Sequence, residues 1–217
     1  MQKDHSMKLT RRKILPLISF FSFVKIYELY GSIFSKKALR ILLITDGLVL
    51  ISGAMLGPIY AIFVDIVGGD LMDASIAGGI FALVAGLTVL LSGKFSDHVT
   101  EPRYIVSLGY AIIGAGFLLY IFVNSVWFLF IVQAVIGFGE AIYSPAFDAL
   151  YSRHLDENKE ATEWGGWEAM KYFTASGGAI IGGIIAKNFG FSPLFIIMSM
   201  FCFASAIYIF FLPKKTL

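Results

Sequence analysis

The chain has 217 residues, of which 58% are hydrophobic and only 15% charged; its mean hydropathy is +0.79 and its formal net charge +2. A soluble domain of this length would not carry so much apolar surface, so the composition describes an integral membrane protein. The small net charge speaks against a nucleic-acid partner, and the single cysteine, Cys202, excludes an internal disulfide.

Residues 1–39 form a basic segment. Within it, "RRKILPLISFFSFV" has a basic start and an apolar stretch of about a dozen residues, the outline of a signal peptide. A cleaved signal would leave Lys36, Lys37 and Arg40 outside, and no A-x-A-like site follows. A further span would have to carry Lys25 and Glu28 into the bilayer. The reading adopted is an amphipathic helix lying on the cytoplasmic face.

Crossing about 30 Å of hydrocarbon takes about 20 mostly apolar residues. Six stretches qualify: 40–65, 74–92, 104–123, 127–150, 168–187 and 193–212. The expected fold is therefore all-α, a polytopic membrane bundle of six transmembrane helices over residues 40–212, followed by a short tail, 213–217. The connections "IVGGDLMD", "NSVW" and "NFGFS" are short and nearly uncharged, whereas "GKFSDHVTEPR" and "YSRHLDENKEATEWGG" are longer and charged. With both termini cytoplasmic, nine Lys and Arg up to Arg40 share that side with Lys94, Arg103, Arg153, Lys159, Lys171, Lys214 and Lys215, leaving Lys187 alone on the other. That asymmetry is a positive-inside signal. Trp127, Trp164 and Trp167 suit interface anchors.

In the second connection, Gly93 and Asp97 stand four apart and share a helix face if the second span runs on by a turn; Arg103 follows at the entry to the third. Glycine permits close backbone approach, and an aspartate at a helix end can accept from the free amides of a neighbouring helix. This G-x-x-x-D loop between spans two and three resembles a signature of the major facilitator superfamily. Three further stretches resemble that family in the same order: "GAMLGPIYAIFV" around Pro58 in span one, "QAVIGFGEA" with Gly137, Gly139 and Ala141 in span four, and "SGGAIIGGIIAKNFGF" with Gly178 and Gly182 in span five. The resemblance covers about residues 40–212. The departures are His98, Thr100 and Pro102 in the loop, Gln133 where many proton-coupled antiporters of the family keep an arginine, and Gly183 where they keep a proline. These departures count against proton-driven drug antiport.

The resemblance implies one six-span half of a fold that has two, with the substrate site between the halves at mid-membrane. A second copy of the chain, or another half, would then cover the cavity-facing side. It also implies that Gly93, Asp97, Arg103 and Arg153 belong to a cytoplasmic gate holding the halves together. An exposed salt bridge among them is the plainer alternative.

An ionisable side chain at bilayer depth costs about 2.5–3.5 kcal/mol on insertion scales, so it faces a bundle interior or a wet cavity. Gln133 and Glu140 are seven apart, about 20° off a common face, with Gly137 near the line between them. Glu140 is accordingly the leading candidate for the substrate or ion path, against a carboxyl buried between helices. Asp148 lies on the same span, nearer the cytoplasm. Asp46, in span one, either joins that path at the cavity mouth or is hydrated or paired with Arg40. Tyr60 and Tyr143 are candidate hydrogen-bonding residues of the cavity. Gly137, Gly178, Gly182 and Gly183, with Gly177, Gly78 and Gly79, are read as helix-packing positions.

The expected function is secondary transport of a small molecule across the cell (inner) membrane by alternating access, as a dimer of halves. A non-transporting membrane scaffold that keeps the half-fold is the alternative. An enzyme is not expected: His5, His98 and His154 lie outside the spans, and no metal-ligand cluster, G-x-S-x-G or phosphate-cradling loop occurs. No cofactor or metal is expected, and the same lack of a nucleotide motif speaks against ATP-driven transport.

Overall fold

The computed structural model describes Gly31, residues 36–214, and residues 216 and 217. The expected interfacial helix, most of residues 1–39, and Lys215 lie outside the described residues. Six helices are long and apolar enough to cross a membrane: Lys37–Ile66, Leu71–Ser96, Pro102–Phe122, Val126–Ser152, Glu160–Phe189 and Phe191–Phe210. They are called spans one to six below. No strand occurs among the described residues.

Local chemistry marks the ends and breaks. Pro58 lacks an N–H, and span one tightens into a 3-10 turn at Gly57–Ile59 before its last helical stretch, Tyr60–Ile66. Span two starts on a capping box in which the Asp70 carboxylate accepts from the Asp73 amide and the Asp73 carboxylate accepts from the Asp70 amide, both at 2.9 Å. Spans five and six are joined by Gly190 alone, at φ 84° and ψ 180°, a conformation open to glycine and to few other residues.

Span five differs from the expected element. It begins at Glu160 rather than at 168, so Trp164 and Trp167 belong to the helix and not to the connection before it. Glu160 and Glu163 in its first turn favour that start, since carboxylates complement the positive end of the helix dipole. Trp164 and Trp167 consequently pack inside the protein: Trp164 lies 4.9 Å from Tyr151 and Trp167 6.1 Å from Phe147, centroid to centroid. Trp127, at the start of span four, is 79% exposed.

The principal contacts run from span two to four, four to three, three to six, six to one, and one to five. Spans two and five are therefore the ends of the layer, and they are the least buried of the six. Serine hydroxyls tie the layer across helices: Ser107 donates to the Ala206 carbonyl at 2.8 Å, Ser199 to Gly114 at 2.9 Å and Ser205 to Thr45 at 2.9 Å. Such bonds average about 0.6 kcal/mol each in a membrane protein. A fourth repairs a defect. Pro145 in span four cannot donate to Ala141, four residues back, and the Ser92 hydroxyl of span two donates to that carbonyl instead.

Candidate functional site

On one face, spans one to four enclose a cavity of about 410 Å³ that is open toward the outside of the layer. Its walls are mostly apolar, with Phe81, Ile113 and Phe117 among them; Tyr60, Tyr120, Gln133, Glu140 and Tyr143 supply the polar groups. The seven-residue spacing of Gln133 and Glu140 does place both on this wall. Gln133 donates to the Tyr120 hydroxyl at 3.0 Å. The Tyr60 hydroxyl is buried beside Gln133 but meets no partner at full hydrogen-bond geometry. Glu140 is exposed toward the open side, and among the described residues it has no hydrogen bond or ion pair. Among the described residues the cavity thus presents a carboxylate without a hydrogen bond or ion pair and a hydroxyl without a well-formed hydrogen bond.

Lys171 of span five acts electrostatically on both Glu140 and Asp148. Its ammonium sits 4.4 Å over the Trp167 ring and 3.3 Å from Glu168. The sequence reading places Lys171 only among the cytoplasmic-side basic residues and singles out neither it nor Tyr120 for the cavity. The Trp167–Lys171 spacing of four, which stacks the two side chains on one helix face, was the available signal for Lys171. A tyrosine near a span end, such as Tyr120, carries no comparable signal.

Asp46 is not on the cavity wall. It is 1% exposed and accepts from the Tyr110 hydroxyl at 3.0 Å and from Trp167 Nε1 at 2.9 Å, joining spans one, three and five. Neither hydration at the interface nor pairing with Arg40 describes it, because the lengthened span five brings Trp167 over its carboxylate. Tyr110 packs on Tyr143 with ring centroids 4.8 Å apart, so Asp46 stands one layer behind the cavity. Asp46→Leu leaves two buried donors without an acceptor, each costing about 1–3 kcal/mol. We expect a lower thermal unfolding midpoint and altered Trp167 fluorescence, with Asp46→Asn in between; an unchanged midpoint in Asp46→Leu would refute this role.

Of the four gate candidates, the structure brings only Arg103 and Arg153 to one place. Asp97 is exposed at the end of span two, and neither it nor Arg153 makes an ion pair among the described residues. Gly93 has open space where a Cβ would stand. Arg103 is held within its own half: it pairs with Glu101 at 2.7 Å, donates to the Leu212 carbonyl and to the Tyr104 hydroxyl, and lines a second cavity with Arg153. Hydrogen bonds from Lys214 and then Arg103 hold the Glu101 carboxyl below the usual carboxylate range. A separate cluster closes the same end, where Lys36 bridges Asp156 at 2.6 Å and Glu163 at 3.1 Å. The first of these contacts lowers the Asp156 pKa.

The packing glycines divide. A Cβ at Gly137 would stand 2.5 Å from the Phe81 carbonyl oxygen, one at Gly178 2.8 Å from that of Ile51, and one at Gly182 would overlap that of Met55. Close approach of spans two to four and one to five rests on these positions. Gly183, Gly177, Gly78 and Gly79, read as packing positions too, have nothing within 4 Å. They lie on spans two and five, where a helix is covered on one side only.

Six helices long and apolar enough to cross a membrane, with no strand among the described residues, define a polytopic membrane protein. The chain belongs to the Major Facilitator Superfamily, whose family model matches residues 42–217. It is similar to "Multidrug resistance protein MdtG" of Serratia proteamaculans, 21% identical over 83% of this chain and 45% of the relative. The proteins of that name from Citrobacter koseri and Salmonella typhimurium are 22% and 23% identical, over 92% and 91% of this chain and 50% of each relative. The chain spans about half the length of the curated relatives it matches. Family and spans together make it an integral, multi-pass protein of the inner membrane and not an enzyme.

Proposed function

We propose that the chain is one half of a secondary transporter that moves a cationic, amphipathic small molecule by alternating access, with Glu140 as the carboxylate that meets the cation. The observation that carries this reading is the cavity itself: aromatic and aliphatic walls with a carboxylate and a hydroxyl that, among the described residues, have no well-formed hydrogen bond. An apolar pocket with few convergent polar groups suits a small amphipathic ligand, and the tyrosine rings add cation–π attraction. Relatives named for multidrug resistance are consistent with such a substrate.

The open face is covered by a second copy of the chain, whose side chains occupy the space beside Gly78, Gly79, Gly177 and Gly183. Native mass spectrometry from nanodiscs tests this, with a dimer expected. A persistent monomer without transport activity would overturn the dimer and favour a scaffold.

Both termini are cytoplasmic, as the basic residues require. On that side Asp97, exposed and with no ion partner among the described residues, gates the cavity by contact with the second half. Asp97→Asn is expected to shift the balance between inward-open and outward-open states, read as labelling of cysteines introduced on the cytoplasmic face. Unchanged labelling would exclude Asp97 from the gate.

A further inference from the structure

The second cavity, of about 280 Å³, lies where span three starts and spans four and six end. Among the described residues, Arg103, Arg153 and Lys214 line it against a single side-chain carboxylate, Glu101, with His154 beside them. With His154 neutral the excess is two positive charges, or one where Leu217, also in the wall, carries a terminal carboxylate. The three cations are not equivalent. Lys214 shares Glu101 at 2.9 Å, and Arg103, 8% exposed, is fixed by Glu101, Tyr104 and the Leu212 carbonyl. Arg153 is exposed and has no anionic partner among the described residues.

The surroundings separate this pocket from an ordinary solvated basic patch. The Arg103 guanidinium lies 4.6 Å over the Tyr104 ring, Tyr104 packs on Phe210 at 5.4 Å, and Phe210 on Phe211 at 5.2 Å. Phe211 is largely exposed, and Tyr104, Phe210 and, one turn further along span three, Leu108 are about half exposed. The basic pocket is thereby continuous with an apolar, aromatic strip running into the bilayer. A free inorganic anion would use the charges and leave that strip unused, whereas an anionic lipid would use both.

We infer that the pocket of Arg103, Arg153, His154 and Lys214 binds the phosphate-bearing headgroup of an anionic phospholipid, whose acyl chains lie along Tyr104, Leu108 and Phe210. A basic pocket between spans at the membrane surface is a setting for such headgroups, and arginine forks match phosphate oxygens. Arg153 supplies the uncommitted charge. Arg103 and Lys214, which tie span three to the end of span six through Glu101, couple headgroup binding to the packing of that end.

The test uses the full chain, purified in detergent and mixed with phosphatidylglycerol, phosphatidylcholine or inorganic phosphate. Native mass spectrometry should find phosphatidylglycerol retained several-fold over phosphatidylcholine. Arg153→Gln should lower its retention by about tenfold, the loss of one charge-assisted contact, while Arg153→Lys keeps most of it. Arg153 is exposed, so these variants are expected to fold, and an unaltered unfolding midpoint without lipid serves as the control. Equal retention of the two lipids, or retention indifferent to Arg153→Gln, would overturn the inference. So would stabilisation by inorganic phosphate equal to that by phosphatidylglycerol, which would make the pocket a site for free anions.

Discussion

Gly182→Ala is expected to be among the most damaging single methyl groups that can be added to this protein. A Cβ at Gly182 would overlap the backbone carbonyl of Met55, and backbone cannot swing aside as a flexible side chain does. Spans one and five would have to separate, and their other close contact, Gly178 against Ile51 and Ala54, would open with them. Overpacking of this kind costs about 1–3 kcal/mol for an alanine and more for a larger residue, against a total stability of about 5–15 kcal/mol. Separation would also pull Trp167 of span five away from Asp46 of span one. The expected result is a clear fall in the thermal unfolding midpoint in detergent, deepening to loss of monodisperse protein in Gly182→Val. Gly183→Ala, one residue along, meets nothing within 4 Å and is the matched control. If both alanine variants behave alike, the close contact of spans one and five is wrong.

Glu140→Gln is expected to abolish most transport while leaving the fold intact. The substitution keeps size and hydrogen-bonding capacity and removes only the charge. Because Glu140 faces the open side with no hydrogen bond or ion pair among the described residues, no internal bond is broken. A contact between a carboxylate and a cationic substrate is worth about 1.5–3 kcal/mol, so its loss corresponds to roughly a ten- to hundredfold fall in apparent affinity. The measurement is uptake or efflux of a lipophilic cation in proteoliposomes, with expression and unfolding midpoint monitored in parallel. Transport at the level of the unmodified protein would remove Glu140 from the site. Lys171→Gln makes the complementary comparison: relieving Glu140 and Asp148 of a nearby positive charge should strengthen cation binding, opposite in sign to Glu140→Gln.

Much of the architecture is legible in the residues. Six apolar runs of bilayer length, separated by alternating short and charged connections, lead directly to six spans, since hydrocarbon requires each crossing segment to satisfy its own backbone. The order of degenerate glycine motifs leads to the family. Gln133 and Glu140 fall on one cavity wall because helical spacing alone decides which residues share a face. What local pattern misses is whatever depends on a second helix. Gly182 and Gly183 are neighbours of identical type, yet one touches Met55 and the other touches nothing. Asp46 looks like a candidate for the cavity mouth until Tyr110 and Trp167 close over it. Arg103 and Arg153 read as partners of Asp97, and the fold turns both toward the end of span six instead.

By itself, then, the sequence determined the class, the number of spans, the family and the face of span four that carries the carboxylate. These follow from hydropathy, length and the 100° turn per residue, properties of single helices in a bilayer. Only the tertiary structure decided which glycines are contacts, which carboxylate is buried and which is free, and which cations are already spent on the protein's own carboxylates and carbonyls. Those are properties of pairs of helices: they depend on the rotation and depth of each span against its neighbour, which packing sets and which no periodicity within one span records.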